Sequence, residues 1–255
     1  MQKKCSWLQD VRNSTKRSTA VSRVTGWSGG YSGLRLSPVS SLRTSVFLAA
    51  LVTTSLGAAT VGEWVAVGEF SAGALDGWQQ KRFSGETRYR LVVADGAQVL
   101  QAVTSGSASG LYREIRVDLS RTPWLNWSWR VDAVYAGVDE RSKSGDDYPA
   151  RIYVVVSDGW RFWNTRALNY VWASRLPQGE TWPNAFTANA RLIAVESGPQ
   201  HLGEWRHYRR NVRQDLLQAF GEAIPEIQAV ALMSDSDNAG QAANAWYGDI
   251  WFSAD

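Results

Sequence analysis

From residue 60 onward the apolar residues of this chain recur at every second position, a period that suits a half-buried β-strand and not an α-helix. In Trp124-Leu-Asn-Trp-Ser-Trp-Arg-Val131, the residues Leu125, Trp127, Trp129 and Val131 share one face, and Asn126, Ser128 and Arg130 share the other. Arg88-Tyr-Arg-Leu-Val-Val93 runs to Asp95-Gly96, and Gln98-Val-Leu-Gln-Ala-Val103 follows it, which is a hairpin pattern. Further strands are expected at 64–70, 110–117, 124–131, 150–156, 166–173, 190–196, 203–209, 227–233 and 244–252. One helix is expected over 212–220, where Val212, Leu216, Leu217 and Phe220 keep helical spacing between the N-cap Asn211 and Gly221. No linker divides 60–255, so the expected architecture is a single all-β domain, an antiparallel jelly-roll-like β-sandwich with one short helix.

Residues 1–59 have a different character. Residues 46–56 form an uncharged, mostly apolar run, preceded by Arg35 and Arg43 and followed by Gly57-Ala58-Ala59. That order of charge, apolar stretch and small residues predicts a secretory signal peptide cleaved after Ala59, too short to span a bilayer as a helix. A periplasmic or secreted domain follows, with no transmembrane segment in the mature chain. The match of Gly26-Trp27-Ser28-Gly29-Gly30 to a nucleophile elbow lies in this leader without a strand before it, and is read as chance.

The leader also accounts for the basic pI. It holds eight basic residues and one acid; removing them from the totals of 27 and 24 leaves 19 basic and 23 acidic residues, a net charge of −4 for the body. A mildly acidic body without a basic stripe is not built to neutralise phosphates, and no nucleic-acid partner is expected. One cysteine, Cys5, excludes a disulfide framework, and His201 and His207 leave little for a histidine metal site. No metal site is expected on this ground, and no phosphate loop, H-E-x-x-H motif or nucleophilic cysteine is present in the body. Asp235-Ser-Asp-Asn-Ala-Gly240 begins like a calcium loop but has Ala239 and Trp246 where ligands are needed. A structural calcium at Asp235/Asp237 is the one cofactor weighed, and a loop bonding its own backbone is preferred. Asp146 and Asp147, at the end of the polar stretch 139–147, read as a solvated loop.

Twelve of the fourteen tryptophans lie in the body. Trp127, Trp129, Trp172 and Trp251 stand in apolar strand settings and are read as core. Trp160, Trp163 and Trp182 stand in loop-like settings, where exposed rings could stack on sugars. Arg151 alternates with aliphatic neighbours in 150–156, so it should leave the core face and pair with Asp147 or the 235–238 loop.

The body also resembles a known bacterial family, the domain-of-unknown-function family numbered 3047. The likeness runs from about Phe70 to Phe252. It rests on Ser109-Gly-Leu-Tyr-Arg, Trp124-Leu-Asn-Trp-Ser-Trp-Arg-Val131, Asp146-Asp-Tyr-Pro-Ala-Arg-Ile-Tyr-Val154 and Ala167-Leu-Asn-Tyr-Val-Trp-Ala173. It continues through Trp205, Arg210-Asn-Val-Arg-Gln-Asp215, Phe220-Gly221, Ala231-Leu-Met-Ser-Asp-Ser-Asp-Asn-Ala-Gly240 and Tyr247-Gly-Asp-Ile250. Ala239 departs from the family's usual threonine. The resemblance implies an exported protein of unknown activity, with Asp147, Arg151, Asn169, Tyr170, Trp172, Arg210, Asp235, Asp237 and Asn238 at its recurrent polar and aromatic positions.

Three function classes follow. The preferred one is a non-catalytic, monomeric domain binding carbohydrate or another cell-envelope ligand through a polar and aromatic face. The alternatives are a polysaccharide-acting enzyme using paired carboxylates and a periplasmic structural or assembly protein. The lack of a catalytic signature tilts the reading away from an enzyme.

Overall fold

The computed structural model describes residues 62–158 and 161–255; the leader, with its apolar run, lies outside them. Among the described residues thirteen strands form: β1 Trp64–Gly68, β2 Trp78–Ser84, β3 Arg88–Ala94, β4 Ala97–Ser105, β5 Ala108–Asp118, β6 Trp124–Val131 and β7 Arg151–Asp158. They continue with β8 Arg161–Ala173, β9 Thr181–Pro183, β10 Ala190–Ser197, β11 Arg206–Asn211, β12 Glu226–Asp235 and β13 Ala242–Ser253, and one helix, α1 Val212–Phe220, lies between β11 and β12. The first sheet has six strands in the order β11-β6-β13-β4-β3, with β1 also paired to β13; the second has seven, β2-β5-β12-β7-β8-β10-β9.

The period of two decides which faces meet. Leu125, Trp127, Trp129 and Val131 from β6 share one buried cluster with Ile152, Val154 and Val156 from β7 and Leu168, Tyr170 and Trp172 from β8. Aromatic rings fill its middle: Trp127 lies 5.3 Å from both Tyr170 and Tyr208, and Trp129 meets Tyr247 edge-on at 6.4 Å. Such pairs contribute beyond the area they bury. The architecture is the expected β-sandwich.

Local chemistry fixes the turns. The β3–β4 hairpin closes at Asp95 and Gly96, with φ of 52° and 81°, the doubly positive turn that matches strand twist. The Asn211 side chain accepts the Gln214 N–H at 3.0 Å, and Gly221, at φ 76°, donates to Leu217 O at 2.8 Å. Asn211→Ala is expected to cost about 1 kcal/mol, a drop in melting temperature of roughly 2–4 °C that a calorimetric scan would register. An unchanged transition would show that tertiary contacts alone hold α1.

The differences from expectation have physical reasons. One pair, β8 with β10, is parallel rather than antiparallel, because the connection 174–189 carries the chain back to the start of β8 and places β9 on the far edge of β10. β2 is an unexpected strand: its sequence WQQKRFS is polar at an edge, and only Phe83 is buried. The strand expected at 203–209 runs instead over β11, because residues 203–204 are in a turn and Gly203 takes a φ of 80°. No helix among the described residues is long and apolar enough to cross a membrane.

Candidate functional site

On β7 the residues opposite the core set, Arg151, Tyr153 and Val155, face the outer side of the second sheet. Arg151 stands across from Met233 of β12 and Val171 of β8. It is 1% exposed. Its guanidinium donates to Asp235 Oδ2 and, at 3.4 Å, to Asp146 Oδ1, and it lies 5.1 and 5.3 Å from the rings of Tyr148 and Tyr153. Burial works against its charge, but Asp235, Tyr153 and Asp146 outweigh that and hold it protonated well above its ordinary range.

Asp147 and the 235–239 turn complete the cluster. Asp147 accepts the backbone N–H groups of Asn238 and Ala239 at 2.8 and 2.6 Å and the Asn238 side-chain amide at 3.0 Å. Asp235 N–H donates to Tyr148 O at 3.1 Å. Arg151, Asp146, Asp147, Asp235 and Asn238 therefore come together and stitch two connections to the sheet. The solvated-loop expectation for Asp146 and Asp147 is corrected: both are buried, and Glu140 beside them is buried too, accepting the N–H groups of Ser174, Arg175 and Leu176. Gly145 permits the tight path, since a Cβ there would sit 2.1 Å from Asp139 O. The expected self-bonded 235–240 loop is only partly that: Gly240 N–H bonds Ser236 O, but Asp235 accepts from Tyr148 N–H and Arg151 on other segments. Asp147, Asp235 and Asp237 each offer a carboxylate oxygen within 4.8 Å of the others, a spacing that could hold a divalent cation. Arg151 already brings positive charge to that group.

Other residues singled out by sequence lie elsewhere. Asn169 faces the same outer side, opposite Tyr153 and Leu192, and its amide donates to Arg191 O at 3.1 Å rather than to the cluster. Tyr170 and Trp172 point the other way, into the sandwich core, and are not ligand contacts: the strand period assigns them the inner face. Their polar atoms are used internally, Tyr170 OH on Asp215 at 2.8 Å and Trp172 Nε1 on Gly198 O at 3.1 Å. Arg210 makes a two-bond fork with Asp215, at 2.9 and 2.6 Å, which ties β11 to α1 well away from Arg151 in the topology. Trp182, expected in an open loop, is 3% exposed: β9 pairs it with Leu192, and its ring packs beside Tyr148. Trp160 and the side chain of Trp163 lie outside the described residues.

The open aromatic surface is on the outer face of the first sheet and includes Trp251, which the sequence assigned to the core. Trp251, read as buried, is 38% exposed, and Trp64 is 55% exposed. Register explains the placement. Ala66, Trp251, Asn126 and Arg209 form one rung across β1, β13, β6 and β11, and Trp64, Ser253, Trp124 and Asn211 form the next. Paired residues share a face, so Trp64, Trp251 and Trp124 stand staggered on neighbouring strands about 5 Å apart. Arg209 stacks over Trp124 at 4.1 Å, and the Asn126 amide donates to Trp124 O and Ser253 Oγ, each at 3.0 Å. Further along the same face, Arg130 lies 4.3 Å from Trp246 and 5.4 Å from Trp205, both its charge and the Trp205 N–H meeting Asp95. Beside Trp64 and Trp251 opens a groove of about 270 Å³. The signal available in the sequence was Trp251 sitting one position out of phase with its buried neighbours Ile250 and Phe252.

Comparison with known proteins adds the following. The profile of a family described as "Protein of unknown function (DUF3047)" matches residues 76–251. No curated protein matches the chain. Among solved structures, a family 11 carbohydrate-binding module of a cellulosomal cellulase from Clostridium thermocellum is similar at 9% identity and a TM-score of 0.40, over 75% of this chain and 97% of that one. A cellulase derived from the Cel12A enzyme of Rhodothermus marinus is similar at 11% identity and a TM-score of 0.42, over 75% of this chain and 96% of that one. At these values no ligand is transferred from either.

Proposed function

The chain belongs to a family of proteins of unknown function (DUF3047), and from that premise we propose that it is a non-catalytic domain binding carbohydrate on the outer face of its first sheet. The observation that carries this reading is the staggered set Trp64, Trp251 and Trp124, two of them open to solvent. Indole faces left in water on a rigid sheet retain the free energy of burial for a ligand, about 25 cal/mol for each Å² covered. A sugar ring offers an apolar C–H face to such a surface and hydroxyls at its edge. Ser253 and Arg209, on the same two rungs and part-exposed, would meet those hydroxyls.

The Arg151 cluster supports a scaffold role instead. Catalytic carboxylates have to reach a glycosidic bond, and Asp147 and Asp235 are both 0% exposed. The test is titration of the protein's tryptophan fluorescence with a panel of neutral, acidic and amino oligosaccharides, alongside a reducing-sugar assay. Saturable quenching without sugar release supports the binding domain; release of reducing ends would replace it with the enzyme reading.

Export is part of the proposal, supported by the order of charge, apolar run and small residues in 1–59. Mass spectrometry of periplasmic or secreted protein should give Thr60 as the first residue. Recovery with Met1 retained would contradict it.

A further inference from the structure

We infer that the groove at the β1–β13 edge selects saccharides that carry a free, protonated amino group. The inference rests on the carbohydrate reading and narrows it to amino sugars.

The groove is lined by Trp64, Ala66, Glu69, Ser71, Asp249 and Trp251, with backbone from their neighbours and no Lys, Arg or His. Two irregularities build it. β1 shifts register between Ala66 and Gly68, and β13 shifts between Tyr247 and Ile250. Bulges of this kind re-aim side chains at a sheet edge. Here they release Glu69 and Asp249 from strand alternation beside the two exposed indoles. A Cβ at Gly68 would sit 2.8 Å from the Phe70 ring, so the chain passes this point only as glycine.

The two carboxylates are uncompensated. Asp249 accepts the Ser71 N–H at 2.8 Å and the Ser71 hydroxyl at 2.5 Å, two neutral donors that fix its orientation and leave its charge intact. Glu69 is exposed, and among the described residues neither acid is ion-paired to a basic side chain. Two negative charges next to two indole faces favour a cation twice over, by direct attraction and through the ring quadrupoles. A neutral sugar would use the tryptophans alone, and a uronic acid would be repelled. A ring with an apolar face and an ammonium substituent satisfies every group in the groove. Trp64, Glu69 and Ser71 precede the span matched by the family profile, and Asp249 and Trp251 lie within it.

The test compares a glucosamine oligosaccharide, its N-acetylated counterpart and a cello-oligosaccharide of equal length, by fluorescence titration at a pH where the amine is protonated. The amine form is expected to bind about tenfold more tightly at low salt. That advantage should shrink to less than about twofold near 1 M salt, where the screening length is about 3 Å. Glu69→Gln should remove most of it, weakening the amine form far more than the acetylated form. Trp251→Ala should abolish binding of all three. Equal affinities, an advantage that survives in Glu69→Gln, or amine binding retained in Trp251→Ala each overturn the inference. Equal affinities would leave the carbohydrate reading standing; no saturable binding of any of the sugars ends both.

Discussion

Arg151→Ala is expected to be among the most destabilising single changes in the protein, at about 3–5 kcal/mol, which for a domain of this size lowers the melting temperature by roughly 10 °C or more. The cost does not come from the worth of one ion pair. Asp235 is 0% exposed and Asp146 is nearly so, and truncation leaves both acids buried without the guanidinium that faces them. Breaking a buried pair by deleting one partner is far more expensive than replacing the whole pair with apolar groups. Arg151→Met combined with Asp235→Leu should therefore recover part of the loss, and the coupling read from that cycle should be large. Arg151→Lys should fall between, because a single ammonium cannot span Asp235 and Asp146 as the planar fork does. Thermal and urea unfolding of these proteins, with the single variants Arg151→Met and Asp235→Leu that close the cycle, decides the matter. A loss below about 1 kcal/mol, the value of an exposed pair, would mean that the cluster is open to water and would reopen it as a ligand site.

The opposite pattern is expected on the first sheet. Trp251 and Trp64 are 38% and 55% exposed and lie outside the buried core cluster, so Trp251→Ala and Trp64→Ala cost no core packing; each melting temperature should stay within about 2 °C of the parent. Binding of saccharide should weaken by about 100-fold or more for Trp251→Ala, beyond detection in the titration, the behaviour of an aromatic anchor at the centre of a contact. Trp64→Ala, on the outermost strand, should cost less. Trp172→Ala is the contrast: its ring fills the core, so it should damage stability by about 3–5 kcal/mol and lose binding only as folding is lost. The two sets of tryptophans thus separate by what each variant changes first.

The sequence was informative where a pattern has one physical solution. Alternation in 124–131 and 150–156 has only one way to bury its apolar set, and those strands meet in the core as the period requires. Asp95-Gly96 and the Asn211/Gly221 pair are local devices, settled within a few residues of chain, and were equally legible. The edge strand β2 was not, because an edge needs no apolar face and Trp78–Ser84 reads as a polar loop. Arg151 and its acids were legible as a partnership of charges only in kind: a lone arginine on a strand needs carboxylates, and 146–147 and 235–237 were the nearest supply. Whether that partnership lies in water or under cover depends on how 139–148 folds back, a non-local matter decided by contacts such as Asp147 with Asn238. The tryptophans misled for a related reason. Trp182 looked exposed because three residues of strand leave no period to read, and Trp251 looked buried because its flanks are apolar and the bulge before Ile250 resets the phase.

The most direct measurement of the central claim is isothermal titration of the domain, residues 60–255, with the saccharide that gives the strongest fluorescence quenching in the panel, repeated with Trp251→Ala and Arg151→Lys. The account predicts one saturable site in the parent, loss of that site in Trp251→Ala at unchanged melting temperature, and retention of it in Arg151→Lys despite lowered stability. Full affinity in Trp251→Ala together with lost affinity in folded Arg151→Lys would contradict it and move the binding site to the opposite face of the sandwich.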